Sequence, residues 1–268
     1  MSPKRRASEA GKKALQNAHG VHDAALYHQV RDSLATCARD SSENLEWLYA
    51  NMHPYFFITM KEDMDAIVSL ASVLQNVISN RKIILADQPK KLIVACRDLP
   101  GSLYDTLKTL HEREISYAEL NHSYGPIPGV DEALEIQRFE FQRKTHMEIA
   151  SAGKVTIPRG TRQAVFTDMK RLYPEFDFGE LDDTLRLIWL NNESYIRISP
   201  SERIARLLRL YQQGRKKDGL YLDVEQIVEE TPQKESRILF SVESPPETGF
   251  LTQVSEVFQR LKIGVQRS

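Results

Sequence analysis

The chain carries none of the short signatures on which most enzyme chemistry is recognised. No two of its 12 glycines are spaced Gly-x-Gly, so no dinucleotide-binding fingerprint exists. There is no Gly-Lys-Ser/Thr phosphate loop; the nearest stretch, Ala152-Gly-Lys-Val, lacks the hydroxyl that would hold Mg²⁺. No His-Glu-x-x-His and no Gly-x-Ser-x-Gly occurs. Cysteine is scarce: Cys37 and Cys96 make neither a disulfide framework nor a zinc site, and both sit in apolar patterns that read as buried thiols. Net charge is also missing, with 36 Lys and Arg against 37 Asp and Glu, which argues against a general nucleic-acid-binding surface. No apolar run reaches the ~18 residues needed to cross a membrane. The basic first residues lack the apolar stretch of a secretory signal, so a reducing, cytoplasmic setting is expected.

What is present is a small unit that occurs twice. Lys91–Arg97 is an apolar strand, followed by a Leu99-Pro-Gly turn, an amphipathic helix and a strand at Ile115. Arg237–Val242 is followed by a Pro-Pro-Glu-Thr-Gly turn, a second amphipathic helix and Ile263-Gly-Val. Superposing Gly101 on Gly249 also pairs Leu103 with Leu251, Leu110 with Phe258 and Ile115 with Ile263. The second unit stops at Ser268, so the chain is expected to be the front part of something longer, or a gene product cut short.

Between and around these units the periodicity changes. Residues 1–20 are polar and aperiodic, which predicts a frayed start. Leu26, Val30, Leu34 and Cys37 predict a helix over 23–39, and a short one follows near Leu45–Ala50. Residues 55–60 read as a strand from their aromatic and β-branched content. Asp63 is placed to cap a helix with Ile67, Leu70, Leu74 and Val77 inward. Arg81–Ala86 and Lys91–Arg97 make a hairpin, and the next helix runs to about Glu114. Strands at Ile115–Tyr124 and Glu132–Gln142 flank the stiff turn Gly125–Gly129. A sheet with the helices at 63–78 and 102–114 on one face is the ferredoxin-like α/β sandwich.

Gly153, Pro158 and Gly160 then mark a linker. Helices are expected from Thr161 to before Pro174 and over Asp182–Leu190, where Asp182 and Asp183 favour the N-terminus. Ser199, Pro200 and Glu202 have the spacing of a capping box for a helix that Gly219 stops, after which Leu220–Val224 begins a strand. On that helix Arg203, Arg206, Arg209 and Arg215, with Lys216 and Lys217, form a solvated basic stretch. His19, His22 and His28 cluster without the spacing of a zinc motif, so no metal ligands and no cofactor are expected; His111 reads as an exposed helix residue.

The turn Asp98–Leu103 is the candidate site. At a strand-to-helix turn the first helical N–H groups lack partners and favour a carboxylate. Gly101 lets a ligand approach the backbone, and Asp98 can accept from an amino group. Together Asp98, Pro100, Gly101, Ser102 and Leu103 suit a free amino acid. This Asp-x-Pro-Gly-x-Leu turn between strand and helix resembles the signature turn of ACT domains, small regulatory modules that often bind amino acids at subunit interfaces. Glu243 through Gly249 is similar, but two residues longer.

Two ACT-like units joined by a helical segment resemble the N-terminal regulatory region of large NAD-dependent glutamate dehydrogenases. The resemblance implies an α+β chain divided into a helical arm (1–50), a first ACT-like domain (51–150), a helical linker (151–218) and the start of a second, incomplete ACT-like unit (219–268). It implies a non-catalytic region that senses an amino acid and associates with itself or with a downstream catalytic domain. A stand-alone amino-acid-binding or interaction module is the alternative. Two registers for the first domain stay open, one starting at Tyr55 and one at Lys91.

Overall fold

The computed structural model describes residues 24–37, 41–110, 113–115, 117–141, 157–191, 193–216, 220–227, 235–242 and 249–263. The frayed start over 1–20, His19, His22, His111, Gly153, Gly219, Glu243 and the Gly264–Val265 part of the second repeat's last strand lie outside them. The chain divides into two compact units, residues 1–144 with 248–268, and residues 145–247.

The first unit is built on a four-stranded antiparallel sheet: β1 (Lys82–Gln88), β2 (Lys91–Arg97), β3 (Tyr117–Pro126) and β4 (Ala133–Glu140), in the order β1-β2-β4-β3. The β1–β2 hairpin turns at Pro89–Lys90 and carries a bulge between Ile84 and Ala86. Helices α1 (Ala24–Cys37), α2 (Ser42–Asn51), α3 (Pro54–Thr59), α4 (Met64–Val73) and α5 (Asn76–Ser79) precede the sheet. Their apolar stripes, Val30 and Leu34, Leu45 and Leu48, Ile67 and Leu70, close on Ile93, Ala95, Leu134 and Ile136. Helix α6 (Ser102–Thr109) lies on the other side. Its Leu107 and Leu110 pack on Leu92, Val94 and Phe139. Alternate β2 side chains face opposite ways, so Leu92 and Val94 meet α6 while Ile93 and Ala95 meet the N-terminal helices.

This corrects three expectations. The helices at 64–79 and 102–109 cover opposite faces, giving helix–sheet–helix layers in place of two helices on one face. Residues 55–59 are helical and Met60 ends the helix, so no strand forms there. Pro54 stands at the first helical position and the His53 Nδ1 accepts from the Tyr55 N–H, while all six residues of α3 are buried. Burial on every side erases the alternation that distinguishes a strand, and the cap decides the backbone. The N-terminal helices are not a separate arm, because Val30, Leu34, Leu45 and Leu48 belong to the core of the sheet. Asp63 occupies the cap position of α4 but makes no capping bond. Its carboxylate pairs with Lys91 at 2.7 Å and Arg138 at 3.4 Å.

The second unit holds α7 (Arg159–Leu172), α8 (Leu181–Asn191), α9 (Glu193–Ile198), α10 (Ser201–Lys216) and the hairpin β5 (Leu220–Ile227) and β6 (Glu235–Val242). Val165, Met169, Leu185, Trp189, Ile196, Ile204 and Leu208 form its core. The expected capping box does not form. The Ser199 hydroxyl is buried without a hydrogen bond, and Glu202 turns to Arg171. Of the basic stretch, Arg209 stacks over the Tyr173 ring at 4.6 Å and lies 4.0 Å from Glu175.

The second repeat is divided. Its strand β6 belongs to the second unit, whereas its helix α11 (Phe250–Arg260) belongs to the first and runs against α6. Leu251 joins the α6 cluster, and the Thr252 hydroxyl donates to the Leu107 carbonyl at 3.4 Å. Val257 and Leu261 stay 40% and 60% exposed, so docking covers only part of the helix's apolar face.

Candidate functional site beneath the Gly101 turn

Strand register sets one row of polar side chains across the whole sheet. Lys82 on β1 pairs with Cys96 on β2, Cys96 with Glu135 on β4, and Glu135 with His122 on β3. All four lie on the face that α6 covers. Where α6 runs over Leu92, Val94 and Phe139 it presents leucines; over the polar row it presents Ser102 and Thr106.

Glu135, Cys96 and Lys82 are each held by hydrogen bonds. Glu135, 2% exposed, accepts at Oε1 from the Ser102 hydroxyl at 2.7 Å and from the Gln137 amide. The Cys96 thiol donates to the same oxygen at 3.5 Å. Lys82 Nζ donates to Thr106 Oγ1 at 2.6 Å. The His122 ring lies between two carboxylates, with Nδ1 3.1 Å from Asp98 Oδ2 and Nε2 3.5 Å from Glu135 Oε2. Burial pushes the Cys96 thiol well above its ordinary value, and the Glu135 charge adds to that. Burial likewise pulls the Lys82 ammonium down, against the pull of Cys96, Asp105 and Glu135. Cys96 is therefore a protonated, shielded thiol and not a ready nucleophile.

The predicted turn residues sit at the edge of this cluster. Gly101 has φ 92° and ψ 0°, the left-handed conformation that glycine adopts without strain, and it precedes the first residue of α6. Asp98 is half-buried, with Oδ2 3.1 Å from His122 Nδ1; Pro100 is exposed. The Ser102 N–H is spent on the Leu99 carbonyl at 2.9 Å, and the Ser102 side chain on Glu135. Leu103 packs in the α6 cluster. The open approach to Gly101 expected for a ligand is filled: a Cβ there would come within 2.5 Å of the Gln259 amide nitrogen. Gly249 takes nearly the same conformation, φ 91° and ψ 0°, with none of the described residues within 4 Å of where its Cβ would be.

His122, Glu135, Gln137, Lys82 and Thr106 escaped the sequence reading. The signal that reveals them is the broken alternation of β4, in which Leu134 and Ile136 are followed by Phe139 on the opposite face. A strand that is apolar on both faces is covered on both, so the polar residues between them are buried too.

No protein-family model, no curated protein and no solved structure matches the chain. The chemistry of this site therefore rests on its geometry. Two carboxylates, an imidazole and an ammonium share one sheet face under a helix N-terminus, where negative charge is favoured.

Proposed function

We infer that the chain is a non-catalytic regulatory and assembly region, built from two ACT-like strand–turn–helix units and serving an amino acid dehydrogenase of the glutamate type. Its effector is a free amino acid. The observation that carries this reading is the pair of turns. Gly101 and Gly249 adopt the same left-handed conformation, each starts an amphipathic helix, and the two helices pack against one another. A second support is strand pairing. β2 and β3 run parallel on either side of β4 and are joined through α6, the split β-α-β arrangement that an ACT register starting at Lys91 expects. The partly covered α11 face, with Val257 and Leu261, supplies apolar surface for assembly.

An amino acid that reaches the Gly101 backbone displaces the Gln259 side chain and competes with His122 for Asp98. Calorimetric titration of the chain with the common amino acids tests this, on the wild type, Gln259→Ala and Asp98→Asn. One amino acid is expected to bind, more tightly to Gln259→Ala than to the wild type, and about tenfold or more weaker to Asp98→Asn through loss of a charge-assisted bond. No binding heat with either wild type or Gln259→Ala overturns the effector reading.

A further inference from the structure

We propose that Asp98, His122 and Glu135 form a binding site for one divalent cation of the borderline class, such as Zn²⁺, that accepts mixed imidazole and carboxylate donors. One ligand atom from each residue lies within 4.8 Å of the others. Ligands about 2 Å from a common ion sit roughly 3–3.5 Å apart, so a pair at the 4.8 Å limit closes by about 1.3–1.8 Å, shared between two side chains.

A cluster of acids alone would carry no such inference. The deciding observation is the state of His122. Its side chain is 5% exposed, yet neither ring nitrogen makes a hydrogen bond, although carboxylates approach to 3.1 and 3.5 Å. Buried imidazoles ordinarily donate in line to an acceptor. Here two carboxylates crowd the ring without making a hydrogen bond to it, and the Gln137 Oε1 is also unpartnered. The carboxylates face different ring nitrogens, so a cation on one nitrogen takes the carboxylate beside it and draws in the other from within 4.8 Å, and its two charges balance theirs.

The surroundings have the form of a supporting shell. Ser102 and Gln137 hold Glu135 through Oε1, which leaves Oε2, the oxygen facing His122, for the ion. Asp98 is a third exposed, which gives the ion a way in. Imidazole and carboxylate together favour Zn²⁺ or Co²⁺ over Mg²⁺ and Ca²⁺, which take oxygen donors alone. This site shares Asp98 with the amino acid reading, and a cation held there excludes a ligand's ammonium group, so the titration is run without amino acid.

The test is Zn²⁺ titration of the chelator-stripped chain against a competing chromophoric chelator, repeated on Glu135→Gln, Asp98→Asn and a variant with His19, His22 and His28 changed to Asn. Each variant's thermal melt without metal is recorded. One equivalent is expected to bind to wild type and to the triple histidine variant. Affinity is expected to fall about 100-fold or more in Glu135→Gln and Asp98→Asn, since removing even an outer partner of a metal site costs ~10–100-fold. Wild-type affinity in a folded Glu135→Gln or Asp98→Asn overturns the proposal. So does binding lost only in the triple histidine variant, or no binding at all. Should Glu135→Gln fail to fold, the more exposed Asp98→Asn decides alone.

Discussion

The two faces of the four-stranded sheet are made by alternate residues of the same strands, and they are built differently. The face against α1–α5 has a broad apolar core, and a deeply buried acid there, Glu119, accepts from Thr59, Asn121 and Tyr117 at 2.8–3.0 Å. The face under α6 and α11 has a small apolar cluster beside a row of ionisable groups, and that row leaves His122 and Gln137 with unmet hydrogen-bonding capacity. One face spends its burial on stability. Asp63 Oδ2 and Arg138 Nε on the first face also make no hydrogen bond, but their charges are paired at 3.4 Å; on the other face the unmet capacity centres on an imidazole between two carboxylates.

The largest effect that sharpens this contrast is in the cores. Phe57→Ala, in the broad core, is expected to cost ~3–5 kcal/mol, and Leu107→Ala, in the small one, about 2 kcal/mol, because a small cluster collapses more readily around a void. Equal costs in urea unfolding would erase the distinction. The acids come next. Glu119→Gln sets an amide against donors already committed to both carboxylate oxygens and should cost roughly 2–3 kcal/mol. Glu135→Gln keeps an acceptor for Ser102 and Gln137 and should cost about 1 kcal/mol or less. A reversed order would show that the polar row is the structural one.

The turns separate on a finer scale. Gly249→Ala meets only backbone strain, ~1–2 kcal/mol. Gly101→Ala meets the same strain plus the Gln259 amide, so it should cost more, and Gln259→Ala in the same chain should remove the excess. Additive costs would mean that Gln259 does not hold the turn.

The smallest effect is pH dependence. Burial raises the Cys96 thiol above its unfolded value near 9.0, so the folded chain holds that proton more tightly. The stability this contributes is complete below the unfolded value and is lost as pH rises towards the folded one. Tyr117 and Tyr49, both raised by burial, act in the same direction at higher pH. Denaturation midpoints are therefore expected to fall between about pH 8 and pH 10, and less steeply in Cys96→Ser. In the same range a thiol reagent should label exposed Cys37 promptly, and Cys96 only on unfolding.

Much of this architecture is written in local pattern. β1, β2, β3, β4 and α6 follow from period-2 and period-3.6 apolar spacing bounded by Pro and Gly, and the Gly101 and Gly249 turns from their repeated surroundings. What local pattern does not carry is which face an element takes. Tyr55–Met60 looks like a strand because it is apolar throughout, and only its burial between helices makes that composition helical. The Ser199–Glu202 spacing fits a capping box, yet Arg171 draws Glu202 away. Asp98 and Ser102 were recognisable beside Gly101. Their partners His122 and Glu135 lie on other strands, brought in by register that no window of neighbouring residues contains.

The cover over Gly101 comes from far along the chain. Thr252 and Leu107, joined by a hydrogen bond, are 145 positions apart, and the whole second unit is threaded between them. Closing a loop of that length costs entropy that grows only slowly with length, about 0.6 kcal/mol per doubling, but the contact must wait for the loop. On a ribosome, residues 102–109 emerge and can fold long before residues 249–263 exist. During that interval the Gly101 turn is bare. The nascent chain thus passes through a period in which a ligand can reach the turn without displacing Gln259, and a ligand captured then would be enclosed by the arriving helix.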